Sequence, residues 1–269
     1  MNPAYHLGEY LRARRKLLSP EDVGIVAQGR RRVAGLRREE VAFLAGISVD
    51  YYTRLEQGRQ HPSAQVLDAL ARALRLDDDA HRYLRQLTDP PIRGLVDHGA
   101  ERISVGLTQL VESADVPAFV LSRFRRVLLL NPMASVLLPI LQTGANQLVA
   151  LFLDPAAREL YRDWSTITRT AAAALRSAAG PDLEDPELVA LVETLSAGSE
   201  HFRTLWERHD ASLAPTDVAH FAHPVVGRFD LRFEALEILG TNGQLLLIYS
   251  AEPDRRSISA MRELRKLAR

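Results

Sequence analysis

Cysteine is absent from this chain of 269 residues. Disulfides, thiolate zinc sites, iron–sulfur clusters and cysteine nucleophiles are therefore excluded. Lysine is nearly absent: only Lys16 and Lys266 occur, and every other fixed positive charge is arginine. With the alanine-rich runs, that is the composition expected of a GC-rich bacterial genome. There is no net charge either, with 34 basic against 34 acidic side chains. A uniformly basic coat for nucleic acid is excluded, but a local basic patch is not. No apolar run approaches the ~20 residues of a membrane span. The longest, 127–130 and 245–249, suit buried strands. Residues 1–16 hold no apolar core of signal-peptide type, so the expected location is the cytoplasm, with no membrane partner. What is present, 46% apolar and 25% charged residues, is ordinary for a globular chain with room for two domains.

Residues 5–88 read as helices. Leu7, Leu11 and Leu18 mark one face of the first, with Arg12, Arg15 and Lys16 off it. Ser19-Pro20-Glu21-Asp22 announces a helix that Gly24 and Gly29 stop at once. Residues 19–36 are thus expected to be a basic loop with one helical turn. Two short helices follow, 41–45 ending at Gly46 and 49–57 ending at Gly58. Ser63 opens a longer one with the stripe Val66, Leu67, Leu70, Ala73 and Leu74. Asp77-Asp78-Asp79 precedes a fifth with Tyr83, Leu84 and Leu87. Pro90-Pro91 and Gly94 then mark a boundary, dividing the chain into domains 1–90 and 95–269. Beyond it a helix at 103–111 precedes strands at 117–121 and 127–130, joined by the basic turn 123–126. Asn131-Pro132 opens a helix, and 154–208 is helical with breaks near Gly180 and Gly198. Strands at 218–221, 229–239 and 244–249 follow, the last two joined by the hairpin signal Thr241-Asn242-Gly243. A terminal helix is expected at 257–268. The fold class is α + α/β: an all-α five-helix unit, then a mixed α/β domain built on an antiparallel sheet with helices.

The segment 37–57 has helix-turn-helix spacing. Ala42 is small where two helices touch, and Gly46 sits where the sharp turn needs left-handed backbone. Val41, Ala45, Ile47, Tyr52 and Leu55 fall at inward positions. That leaves Ser48, Val49, Asp50, Tyr51, Thr53, Arg54 and Gln57 on the open side of the second helix, the element that enters the major groove in this motif. Arg54 can pair bidentately with a guanine edge. Val49 or the Thr53 methyl suits a thymine methyl, and Ser48 caps a helix end that attracts phosphate. Arg38, Gln57 and Arg59 are candidate phosphate contacts, with Arg30, Arg31 and Arg32 adding charge nearby. Residues 1–60 carry eleven basic and seven acidic side chains. Among the acids, Glu39, Glu40, Asp50 and Glu56 oppose phosphate. The bland alternative is two packed helices of an all-α domain.

The stretch 35–58 resembles the Xre/Cro-type regulators, and more closely their MmyB-like branch. The resemblance rests on Gly35-Leu36-Arg37-Arg38-Glu39-Glu40-Val41-Ala42, Leu44-Ala45-Gly46 and Tyr51-Tyr52-Thr53-Arg54-Leu55-Glu56-Gln57-Gly58, with Arg30-Arg31-Arg32-Val33 before them. Leu153-Asp154-Pro155, 205–210 and His223-Pro224-Val225-Val226-Gly227 look like motifs of that branch's C-terminal domain. The resemblance implies a PAS-like ligand-binding domain, a fatty-acyl-like effector and a transcription regulator of bacterial origin. The double-stranded DNA operator would be palindromic and the protein a homodimer, since two half-sites multiply a weak single-helix affinity.

No catalytic or metal motif competes with this reading. His220 and His223 stand three apart, so in a strand they point to opposite faces, and no thiolate or H-E-x-x-H accompanies them. Ser250, His209 and Asp210 lack a G-x-S-x-G elbow, and no glycine-rich phosphate loop appears. No enzyme activity, metal or cofactor is therefore expected. Tyr161, Trp164, Phe202, Trp206, Phe221, Phe229 and Phe233 read as core, some of them lining an apolar cavity between a sheet and the helices over one of its faces. Arg232 or His209 is the expected polar anchor. Two rivals stand beside this: an adaptor whose helical unit binds protein, and an enzyme with an appended regulator.

Overall fold

A computed structural model describes residues 3–25, 35–88, 102–212 and 218–269. Arg30, Arg31, Arg32 and the expected boundary at 90–95 lie outside the described residues. Among those described, five α-helices form the first unit: α1 (Pro3–Leu17), α2 (Arg38–Ala45), α3 (Val49–Glu56), α4 (Ala64–Ala73) and α5 (Asp78–Gln86). The turn expected after α1 is a single 3-10 turn at Glu21–Val23. Side-chain caps start three of the helices: Ser48, Ser63 and Asp77 accept from the amides of Tyr51, Val66 and Ala80, satisfying donors that the helix leaves free. Leu7, Leu11, Val41, Tyr52, Leu55 and Leu70 close a shared core.

Two glycines are structural requirements. Gly46 ends α2 at φ 66°, and a Cβ there would meet nothing, so its demand is purely conformational. At Gly8 the demand is space: a Cβ would stand 2.4 Å from the Glu56 carbonyl oxygen, so only glycine lets α1 lie against the end of α3. Gly46→Val should therefore cost roughly 1–2 kcal/mol through backbone strain alone. Ala42→Leu should cost about 1–3 kcal/mol by overpacking a site that is 1% exposed. Thermal melts of both variants check this; two wild-type melts would remove the helix-turn-helix packing.

The second unit comprises α6 (Val105–Ser113), β1 (Ala118–Leu121), β2 (Val127–Leu130), α7 (Pro132–Leu137), α8 (Gln147–Leu153), α9 (Pro155–Leu160), α10 (Trp164–Ala179), α11 (Pro186–Gly198), α12 (Glu200–Glu207), β3 (Val218–His223), β4 (Gly227–Glu237), β5 (Leu245–Ala251) and α13 (Arg255–Leu267). The strands form one antiparallel sheet in the order β2-β1-β5-β4-β3. Alternation sends Phe119, Leu121, Leu247 and Tyr249 into the main core, and Ala118, Val120 and Leu246 to the other face, where Val111 of α6 covers them. The sheet is thus covered on both faces, not on one. Strand alternation requires it, because β1 is buried along its whole length.

Asn131 welds this arrangement. Its side-chain oxygen accepts from Ala118 and Ala134 amides, and its amide group donates to the carbonyls of Val111, Ala114 and Val116. One buried side chain so joins α6, β1 and the start of α7.

The two units touch. Ala211 packs into the first unit's core. Arg14 pairs with Asp210, and Ser212 Oγ hydrogen-bonds Asp79 at 3.0 Å.

Candidate functional sites

On the first unit, α3 presents a solvent-facing surface. Val49, Asp50, Arg54, Gln57 and Arg59 are exposed, as is Ser48, whose Oγ accepts the Tyr51 amide at 3.1 Å. Tyr51 and Thr53 are half-buried, and the Tyr51 hydroxyl reaches the His61 carbonyl at 3.5 Å. Arg38 is partly committed elsewhere: its Nε donates to Glu56 at 2.6 Å, leaving the outer edge of a half-exposed guanidinium to solvent.

Glu56 needs correction. It is no surface acid opposing phosphate: its side chain is fully buried, with Arg15 Nε on one oxygen at 2.6 Å and Arg38 Nε on the other. Burial pushes its pKa up, but hydrogen bonds and charge from the two arginines outweigh this and hold it below the ordinary 4.5. The trio ties α1, α2 and α3 together. Helical spacing could have flagged it, since Glu56 falls four residues after the inward Tyr52.

The second unit holds a partly open cavity of about 580 Å³, within the usual range for small-molecule sites. Its floor is the sheet: Phe233 and Ala235 of β4, and Leu245, Leu247 and Tyr249 of β5, alternate residues that share one face. Its roof is α10, through Ile167, Thr170, Ala171, Ala174, Ser177 and Ala178. These residues are mostly small, and the space they leave unfilled is the cavity. Leu121, Arg123 and Arg125 close one end, Ile140, Leu141 and Leu151 another, and Gln86 reaches in from α5. Tyr161 and Tyr249 lie against each other, and burial holds both hydroxyls above their ordinary pKa, so they stay neutral.

The residues expected at the pocket fall in five places. Tyr161 and Phe233 line the cavity. Phe202, Phe221 and Phe229 do not: they fill core volume, Phe221 stacked on Phe229 at 5.4 Å and Phe202 edge-on to Phe152 at 5.1 Å. Trp164 lies off the cavity, its Nε1 donating to the Leu151 carbonyl and its ring under Arg158. Arg232 is out of phase with Phe233 along β4, and so pairs with Glu252 on the other face. Trp206 and His209 belong to a smaller hollow of about 300 Å³ beside α1. Burial there, then the charges of Arg176 and Arg14, push the His209 pKa down to about 3. A neutral imidazole is a poor anchor for an anion. His220 and His223 do point to opposite faces: His220 Nδ1 meets Asp230, and His223 is buried against the Val136 carbonyl.

The same helix that roofs the cavity also seats the first unit. Arg176 of α10 donates to the Trp206 carbonyl at 2.9 Å, stacks over the Trp206 ring at 3.7 Å, and its charge acts on the buried Tyr83 of α5 beside it.

A helix-turn-helix with an open second helix, joined to a domain that holds a cavity, defines a ligand-responsive DNA-binding transcription regulator. Comparison with known families agrees on both halves. A helix-turn-helix domain matches residues 6–84, and the MmyB-like transcription regulator ligand binding domain matches residues 103–264. The second match alone spans more than half of the chain, which therefore belongs to the MmyB-like transcription regulator family. No curated protein matches it. Among the described residues, no helix is long and apolar enough to cross a membrane.

Proposed function

We propose that this protein represses a nearby operon, bound as a homodimer to a palindromic operator, and that a small, mainly apolar effector such as a fatty-acyl compound controls it. Arg54 reads base edges from α3, and Val49 and Thr53 offer apolar contact to thymine. Ser48, Arg38, Gln57 and Arg59 hold the phosphates beside Arg30, Arg31 and Arg32, while Asp50 and Tyr51 flank the reading surface. The DNA-binding domain is 1–90 and the effector and dimerisation domain 95–269. Tyr161 and Phe233 are the expected residues that keep an effector role.

One observation carries this reading: α10 is both the roof of the cavity and, through Arg176, the seat of Tyr83 on the DNA-binding unit. An occupant that moves α10 acts on that seat directly. It shifts DNA binding only by as much as its affinity differs between the two arrangements.

The test uses a duplex selected from a randomised pool. Its affinity is read by fluorescence anisotropy while fatty acids of increasing chain length are added. An affinity change with at least one chain length is expected in the wild type and a smaller one in Ala174→Phe, whose ring takes up part of the cavity. An unchanged wild-type affinity across the series would remove the sensor half of the reading. Failure to bind any duplex, at any salt concentration, would favour the protein-adaptor alternative.

A further inference from the structure

We infer that Arg125 receives the anionic head group of an amphipathic effector, so that the cavity takes anions with an apolar tail in preference to neutral oils. This rests on the cavity being the effector site.

Arg125 sits in the β1–β2 turn with φ 71°, a left-handed backbone unusual for a residue with a side chain. Two hydrogen bonds fix it there: its amide donates to the Ser122 carbonyl at 3.0 Å, and its own carbonyl accepts from Gln147 at 2.9 Å. The residue is 8% exposed and lines the cavity. Among the described residues its guanidinium makes no ion pair or side-chain hydrogen bond, and burial alone acts on it. Its neighbour Arg123, in the same cavity wall, shows what a satisfied arginine looks like here. Arg123 donates to the Ala178 and Ala179 carbonyls and to Asp182, at 2.9, 2.7 and 2.9 Å.

Burying a cation without a partner is among the most unfavourable things a fold can do. Desolvation pulls the Arg125 pKa down to about 10, which still leaves it charged at neutral pH. A guanidinium carries its N–H donors in a planar fork, the geometry that suits a carboxylate or phosphate oxygen pair. A second polar atom points the same way: Ser177 Oγ, also in the cavity wall, is buried without a hydrogen-bond partner. The rest of the wall supplies the tail's environment, chiefly Ile140, Leu141, Leu151 and Leu247. Glu237 also lines the cavity, but it is exposed and keeps its hydration.

Four ligands of equal chain length separate head group from tail: decanoate, decyl phosphate, decanol and decyltrimethylammonium. Calorimetric titration of the full-length wild type should show decanoate or decyl phosphate binding at least about tenfold tighter than decanol, with the cation weakest. Arg125→Gln should lose that preference while holding decanol within about threefold. Without ligand it should melt at or above the wild-type temperature, since an uncompensated charge has gone. A merely structural arginine would lower it. Arg125→Lys should keep part of the preference. Equal wild-type binding of acid and alcohol overturns the proposal and leaves the apolar cavity standing, whether or not the Gln variant folds. A preference that survives in Arg125→Gln overturns it too. Wild-type protein that binds none of the four contradicts the effector-cavity reading, and the proposal with it.

Discussion

Glu56→Ala is expected to destabilise the helix-turn-helix unit by about 3–5 kcal/mol, the usual consequence of breaking a buried ion pair from one side. Arg15 and Arg38 both direct Nε at this carboxylate, and Arg15 is itself nearly covered. Removing the acid leaves two cations without their acceptor at the junction of three helices. The pH dependence has a definite sign. Glu56 is held below its ordinary 4.5 in the folded state, so its stabilisation is fully present above that value and is lost as pH falls through the lower, folded one. Denaturant melts at a series of pH values should show the wild type losing stability on acidification. Glu56→Gln should follow a flatter curve. A Glu56→Ala protein within about 0.5 kcal/mol of wild type, with the same acid slope, would mean the trio contributes nothing.

Arg54→Ala is expected to lower the ratio of operator to random-duplex affinity roughly 5- to 150-fold, the effect of losing about 1–3 kcal/mol of base discrimination. Arg59→Ala should behave differently. It stands beyond the end of α3, and its loss should weaken all duplexes alike and flatten the slope of log affinity against log salt by about one unit. Competition binding with specific and random duplexes separates the two. An unchanged ratio in Arg54→Ala would mean that α3 does not read the groove through this residue.

Local signals make the first unit legible in the sequence. Gly46, Ser48, Ser63 and Asp77 act on backbone within three residues of themselves, and each does in the fold what its type and position imply. Glu56 looks like a surface acid in the sequence because its partner Arg15 is 41 residues away. The demand at Gly8 is invisible in the sequence because a close approach between helices leaves no periodic trace. In the second unit the β4–β5 hairpin was visible from its turn. The pairing of β1 with β5 was not, since it joins strands more than a hundred residues apart. Most of the aromatics that the sequence offers as cavity lining fill core space instead. The cavity's volume comes from Ala171, Ala174, Ser177 and Ala178, which leave it empty, and in sequence such residues look like any alanine-rich helix. The basic turn 123–126 could be seen, but the left-handed backbone at Arg125 that accompanies its inward side chain belongs to the folded chain alone.

Coupling between cavity and DNA is the central claim, and reciprocity tests it most directly. The affinity of decanoate for the full-length protein is measured with and without saturating selected duplex, and the affinity of the duplex with and without saturating decanoate. Linkage requires the two ratios to be equal. A shared factor of at least about fivefold in both directions is expected, falling toward one when Arg176→Ala breaks the seat on Tyr83 while leaving decanoate binding in place. Tight decanoate binding with both ratios at one in the wild type would contradict the claim: the cavity would hold its ligand, and the DNA-binding helices would take no notice.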